Sequence, residues 1–220
     1  MNFQDWFKLF QEQILHTSLI EWLAVGFGVS EVLLARKNNI WLYPTGIISI
    51  LLVMSLLYKA NLYAEIVLNV YYLVMSVYGW LIWKNQENHH HMEVLWSTRK
   101  ELLIAVLISV IGFGIFYTAL INLPEHFVIA KIDIFFTKSD VPIADAFVSA
   151  TAWAGMWLLA KRKIENWIFL NISNIVAIPL LFHKKLPLMA CLTTFLFVVA
   201  IFGFFDWNKI IKKTSSSWLN

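Results

Sequence analysis

Glu65, Asn69, Tyr72 and Ser76 follow one another at intervals of four, three and four, the spacing that stacks side chains on one face of a helix. Trp167, Asn171 and Asn174 repeat the rule at four and three, and Asp145, Ser149, Trp153 and Met156 form a third such face. All three stripes lie in otherwise apolar stretches. Amides bind hydroxyls and carboxamides, while indole and phenol rings stack on a flat ring or hold a cation over their faces. No Lys or Arg falls within these stretches, so a phosphate would find no opposite charge. The expected ligand is therefore phosphate-free and neutral or cationic, with Asn69, Tyr72, Ser76, Trp153, Trp167, Asn171 and Asn174 as candidate contacts. The competing reading is that the same groups only glue helices together by hydrogen bonds. Glu65 and Asp145 lie near the ends of their stretches, where solvation suffices to explain them, and the same holds for Glu31.

The surrounding chain sets the medium. Of 220 residues, 60% are apolar and 14% charged, against about 45–50% and 25% in ordinary soluble domains. Too little polar surface exists to coat a water-soluble globule, which excludes a nucleic-acid-binding domain and a conventional cytosolic enzyme; the net charge of +3 favours neither. A membrane-spanning helix needs roughly 20 apolar residues, and seven such runs are present: 19–35, 40–58, 63–83, 102–120, 143–160, 167–182 and 186–205. Residues 1–17 carry Phe3, Trp6, Phe7, Phe10 and Ile14 between polar neighbours, the pattern of an interfacial amphipathic helix. They lack the basic start and small-residue cleavage site of a signal peptide. Between Pro124 and Lys138, Phe127 to Phe136 reads as a further interfacial helix.

Seven spans put Lys8, Lys59, Lys131, Lys138, Lys184 and Lys185 on one side. Arg36, Lys37, Lys84, Arg99, Lys100, the run Lys161 to Lys163, Lys209, Lys212 and Lys213 fall on the other. Eleven basic residues against six predict a cytoplasmic C-terminus and an external N-terminus. The chain also matches itself at an offset of about 125. Leu33 to Lys37 resembles Leu158 to Arg162, Trp41 falls near Trp167, and Gly79-x3-Trp83 matches Gly203-x3-Trp207. The expected fold is an all-α integral membrane protein of seven transmembrane helices, with two parallel three-helix repeats in a 3+1+3 arrangement. Its parts are the interfacial helix 1–17, a first repeat 18–84, a linker with the fourth helix 85–141, a second repeat 142–207 and a cytoplasmic tail 208–220.

Other features carry less. His89, His90 and His91 sit in a polar loop with Glu87 and Glu93 but lack ligand spacing, so no metal site is expected. Cys191 is the single cysteine and supports neither a disulfide nor a thiolate metal site. Pro44 and Pro179 lie within spans at positions the repeat does not pair. Gly112-x-Gly114 suits close helix packing. There is no HExxH, no nucleophile turn and no carboxylate pair, so no enzyme and no cofactor are expected. A seven-helix photoreceptor would need a Lys in its last span, which has none.

The block Leu62-Tyr63-Ala64-Glu65 through Tyr72 and Met75-Ser76-Val77-Tyr78-Gly79-Trp80 to Trp83 resembles the PnuC family of nicotinamide riboside transporters. So does Asp145-Ala146-Phe147 through Leu158-Leu159-Ala160-Lys161-Arg162 to Ile164-Glu165-Asn166-Trp167 and Asn174. The likeness runs from Leu19 to Trp207. It implies a fold of three plus one plus three helices in a bacterial cytoplasmic (inner) membrane, a homo-oligomer (trimer), and uptake of a vitamin by facilitated diffusion with trapping by phosphorylation. It also implies hydrogen bonds to the ligand from Asn69 and Asn174, with ring contacts from Tyr72 and Trp153 or Trp167. Asn69 and Met156 stand where members of the nicotinamide type often have Gln. Relatives carrying thiamine or riboflavin share the fold and define the alternative cargoes.

Overall fold

Long apolar runs fold as helices in lipid because only a helix satisfies its own backbone hydrogen bonds there. The computed structural model describes residues 3–59, 63–88, 94–122, 126–129, 132–135 and 139–217. Its helices are α1 (Phe3–His16), α2 (Leu19–Arg36), α3 (Leu42–Lys59), α4 (Tyr63–Asn88), α5 (Arg99–Asn122), α6 (Pro142–Ala160), α7 (Asn166–His183) and α8 (Pro187–Ser217). Among the described residues five stretches, Leu42–Lys59, Arg99–Asn122, Pro142–Ala160, Asn166–His183 and Pro187–Thr214, are long and apolar enough to cross a membrane by themselves. The protein is thus a multi-helix membrane protein. His89 to His91 and Glu93 lie outside the described residues, as do the side chains of Glu65 and Glu87.

A helix forms over the first segment, where the pattern predicts one. It bends away from α2 by 102° and lies across one end of the bundle, with Trp6 edge-on to Phe182 and Gln13 bonded to the backbone of Lys185 and Leu188. Ser18 ends the bend, forming a reciprocal cap with Glu21 that starts α2.

The expected interfacial helix at Phe127 to Phe136 is instead an antiparallel hairpin, β1 (His126–Ile129) and β2 (Ile132–Phe135), with His126 opposite Phe135. Val128, Ile129, Ile132 and Ile134 are β-branched, a composition that fits pleated strands better than a short helix.

Helices α2, α6 and α7 end in the same way. Asn38, Arg162 and Lys185 have φ of 51°, 54° and 58°. In each case that residue's N–H bonds three residues back and the next N–H five residues back, as in Asn38 to Ala35 and Asn39 to Leu34. This left-handed closure satisfies the last carbonyls of the three helices.

Neighbouring helices form a closed circuit. Helices α2, α3 and α4 pack in sequence, α4 packs on α6, α6, α7 and α8 pack in sequence, and α8 returns to α2, while α5 packs on α6 alone among the described residues. Inter-helix ion pairs join groups at one end or the other. Arg36 meets Asp206 at 2.6 Å and Lys163 meets Glu101 at 3.1 Å at one end, while Lys184 meets Asp145 at 2.6 Å at the opposite end. Glu101 also closes a reciprocal cap at the start of α5, accepting from the Thr98 N–H at 2.8 Å while its own N–H donates to the Thr98 hydroxyl.

Contacts 124 positions apart (43 to 167) recur throughout. The Tyr43 ring sits edge-on to Trp83, with centroids 5.2 Å apart, and Trp167 sits edge-on to Trp207 at 5.6 Å. Tyr43 lies over Gly79 as Trp167 lies over Gly203. Ser49 Oγ donates to the Ala24 carbonyl at 2.8 Å, and Ser173 Oγ donates to that of Val148 at 2.8 Å. This offset pairs Tyr43, and not Trp41, with Trp167; the basic turns at Arg36 and Lys161 bias the sequence match by one residue.

A Cβ on Gly79 would fall 2.5 Å from the Tyr43 ring, and one on Gly203 2.7 Å from Trp167, whereas Gly26 and Gly114 have nothing within 4 Å. Gly79→Ala and Gly203→Ala are each expected to destabilise by about 1–3 kcal/mol through overpacking. Gly26→Ala and Gly114→Ala should be neutral or slightly stabilising, and thermal unfolding of the detergent-solubilised chain reads the difference.

Candidate functional site

Helix packing decides which way the polar stripes face. Gly79 on α4 receives the Tyr43 ring, and Ser76 and Tyr72 lie on the same face one and two turns earlier, as 3.6 residues per turn requires. Gly155 on α6 approaches Leu170 of α7, Ser173 bonds back to α6, and Trp167 lies on Gly203 of α8. The α7 face shared by Trp167, Asn171 and Asn174 therefore turns toward α8. Among the described residues no Cα of α4 comes within 8 Å of α7, so the two amide-bearing helices stand apart across the circuit.

Several of these side chains hold buried polar atoms with no hydrogen bond among the described residues, as do Asn38, Trp83 and Asn166 near the Arg162 end. Ser76 Oγ, Trp153 Nε1, Trp167 Nε1 and Asn171 Oδ1 are all buried without a hydrogen bond, as is Tyr43 Oη. Each such group costs about 1–3 kcal/mol unless something polar reaches it. Four of the seven sequence-derived candidates thus hold an unsatisfied atom, as do Tyr43, Trp83 and Asn166, which the stripes do not include. Asn69, Tyr72 and Asn174 are partly buried.

Trp153 has a defined setting. Its ring stacks on Tyr71, with centroids 4.0 Å apart and planes 18° off parallel, and meets the edge of Phe116. The Tyr71 hydroxyl donates to the Trp153 carbonyl at 2.9 Å, joining α4 to α6. Tyr72 stands 5.9 Å from Tyr71 at 72°. Sequence spacing does not single out Tyr71, because it lies off the Asn69, Tyr72, Ser76 face; the adjacent pair Tyr71-Tyr72 serves two helix faces at once.

Trp167 lies in the aromatic core, among Tyr43, Trp83 and Trp207. Met156 packs against the same core. Arg162 is buried at this end as well, with its guanidinium 3.8 Å over the Trp83 ring and bonded to Gln86 at 3.0 Å. A basic group therefore does reach the interior, from the turn after α6, but it is engaged by Trp83 and Gln86.

Two carboxylates differ from their expected solvated state. Asp145 is clasped by Lys184 at 2.6 Å and by the Ser139 hydroxyl, fastening the start of α6 to the end of α7. Glu31 lies against Gly46 on α3, five residues inside the end of α2. Beside the Asp145 clasp, Asp140 accepts from His183 at 2.7 Å, and that bond holds its carboxyl below the usual range. A groove of about 630 Å³ opens nearby, lined by Tyr117, Val141, Pro142, Phe147 and Val176. It contains none of the seven candidates. Among the described residues no three His, Cys, Asp or Glu side chains converge as metal ligands.

The chain has relatives of known kind. The family described as nicotinamide mononucleotide transporter matches residues 18–209. The nicotinamide riboside transporters PnuC of Escherichia coli (strain K12) and Shigella flexneri are each 21% identical, over 92% of this chain and 90% of theirs. The crystal structure of the vitamin B3 transporter PnuC superposes with a TM-score of 0.66 at 22% identity, covering 94% of this chain and 90% of that one.

Removing the Tyr71 hydroxyl tests the α4 to α6 link. Tyr71→Phe keeps the stack on Trp153 and deletes the donor, so it should cost about 0.5–1.5 kcal/mol of stability, read as a lowered Tm in detergent.

Proposed function

The chain belongs to the nicotinamide mononucleotide transporter family, and from that premise we propose that it carries nicotinamide riboside across the bacterial cytoplasmic membrane. It is a transporter and not an enzyme. The observation that carries the choice of cargo is the set of unsatisfied buried groups: Ser76 Oγ, Asn171 Oδ1 and the Trp153 indole N–H. Together with Asn69, Tyr72 and Asn174 they offer hydrogen bonds to a carboxamide and ribose hydroxyls, beside rings that suit a flat pyridinium. Trp167 completes the set from the aromatic core. The riboside fits better than the mononucleotide, because Arg162 is committed to Trp83 and Gln86 and no other basic group lies on the α4 or α7 polar faces. Thiamine, another flat cation with a hydroxyl, is the second reading, and riboflavin the third.

We further infer seven spans in a 3+1+3 plan, with α2 to α4 and α6 to α8 as parallel repeats, α5 between them and α1 at the interface. The parts divide at residues 1–17, 18–84, 85–141, 142–207 and 208–220. Support comes from the recurrence of contacts 124 positions apart and from the helix circuit. Exchanging the repeats turns the α2 to α8 contact into the α6 to α4 contact, which is also present. An odd span count, with eleven basic residues on the Arg36 and Lys161 end, argues for an external N-terminus and a cytoplasmic C-terminus. Transport is passive, with phosphorylation in the cytoplasm trapping the cargo. The exposed face of α5, including Leu103, Val110, Ile111 and Ile115, suits lipid or a second copy in a homo-oligomer.

Two measurements decide this reading. Titration of the purified chain with nicotinamide riboside, thiamine and riboflavin, followed by tryptophan fluorescence, should give the tightest binding for the riboside; no riboside binding overturns the proposal. Asn171→Ala and Asn174→Ala should each weaken riboside binding about tenfold, the worth of one good hydrogen bond in a dry site, without lowering Tm. Separately, a reporter active only in the cytoplasm, fused after Asn220, should be active. A silent fusion in an expressed protein reverses the orientation.

A further inference from the structure

We propose that Glu31 is the counter-charge for a cationic ligand, and that with Tyr43 and Ser76 it forms the inner end of the transport site. This rests on the reading of the cargo as a flat cation. Glu31 is the thirteenth of the 18 residues of α2, and its carboxyl group fills the space a side chain on Gly46 of α3 would need. A Cβ on Gly46 would fall 2.5 Å from Glu31 Cδ and within 2.8 Å of both carboxylate oxygens.

The same interhelical space exists 124 positions on, and it is filled differently. There Gly155 takes the place of Glu31, and Leu170 takes the place of Gly46; a Cβ on Gly155 would fall 2.8 Å from Leu170 Cδ2. An aliphatic side chain from the opposite helix fills that gap. Packing between the two helices therefore does not call for a carboxylate, and burying one in a span is costly.

Glu31 has polar company that its counterpart lacks. Tyr43, one turn before Gly46 on α3, lies within electrostatic reach of both Arg162 and Glu31 and has its hydroxyl buried without a hydrogen bond. That hydroxyl lies at Gly79, one turn from the equally unsatisfied Ser76 Oγ. The counterparts of Glu31, Tyr43 and Ser76 are Gly155, Trp167 and Ala200, none of which carries an oxygen in its side chain. Three oxygen-bearing side chains thus lie along the packing of α2, α3 and α4 in one repeat alone, continuous with the Asn69, Tyr72, Ser76 face.

No basic side chain among the described residues is paired with Glu31. Arg36, five residues on, is engaged by Asp206, and Arg162 is held by Trp83 and Gln86. A carboxylate with unanswered hydroxyls on the two neighbouring helices suits a positive charge, and a pyridinium supplies that charge on a ring.

The test uses two ligands of one shape and different charge, nicotinamide riboside and its neutral dihydro form, titrated into the purified full chain. The wild type should bind the cation about tenfold or more tightly than the neutral form, the scale of a close charge pair. Glu31→Gln should bring the ratio near one by weakening the cation alone. A double variant, Glu31→Gly with Gly46→Leu, rebuilds the aliphatic packing of the other repeat and should lose the same preference at an unchanged Tm. If the wild type binds both forms and neither variant moves the ratio, the assignment of Glu31 is overturned. If the wild type binds neither form, both this assignment and the choice of cargo fall.

Discussion

Trp83 and Trp207, each fully buried, meet with ring centroids 6.3 Å apart where the two halves of the helix circuit converge. Much of the architecture follows from holding that pair in place. Tyr43 and Trp167 press on the two rings edge-on, and they reach them only because Gly79 and Gly203 leave room. The Trp207 indole donates to the Ala35 carbonyl at 2.9 Å, which ties α8 to the end of α2. Arg162 covers Trp83 and so ties in the turn after α6. Buried aromatic rings contribute large apolar areas with specific geometry, so this end is held by shape. The opposite end is held by solvent-accessible pairs, Asp145 with Lys184 and Asp140 with His183, whose individual worth is small.

Between those ends the interior obeys a different constraint. In lipid a polar side chain must find a partner or cost stability, yet unsatisfied atoms occur on Tyr43 of α3, Ser76 and Trp83 of α4, Trp153 of α6 and Asn166, Trp167 and Asn171 of α7. Other polar groups in the helices are answered within the chain: Ser49 and Ser173 by carbonyls one helix away, Thr151 and Thr194 by their own preceding turn. Serines of one chemical type thus divide into Ser49 and Ser173, which join helices, and Ser76, whose hydroxyl no group among the described residues answers.

Span positions are legible in the sequence because an uninterrupted apolar run bounded by basic residues leaves the helix few other places to end. Leu19–Arg36 and Asn166–His183 match their runs to within a few residues. The duplication is legible through Gly79 and Gly203, whose spacing to Trp83 and Trp207 survives, but its register shifts by one because Arg and Lys cluster at any span end. The hairpin at 126–135 is not legible, since a short apolar run does not distinguish one helical turn from a strand. Of the site, the stripes are visible from spacing alone. Tyr71 and Glu31 are not, because their roles depend on which neighbouring helix each faces, and helix spacing within one segment carries no information about that.

The repeats also differ in a way that bears on transport. On α4 the stripe is Asn69, Tyr72 and Ser76, and the matching positions on α8 are Thr193, Leu196 and Ala200, which keep one hydroxyl and no amide. On α7 the stripe is Trp167, Asn171 and Asn174, against Tyr43, Ile47 and Ile50 on α3, where again one hydroxyl remains and the amides are gone. Each repeat thus supplies one amide-bearing helix and one largely apolar partner, but from opposite places in its order. The positions that pack helices together recur at an offset of 124, as Gly79 and Gly203 do, whereas the polar positions do not. A repeated scaffold can therefore carry an asymmetric lining, and on the proposed site that asymmetry brings amides from both halves and a carboxylate, Glu31, from one alone.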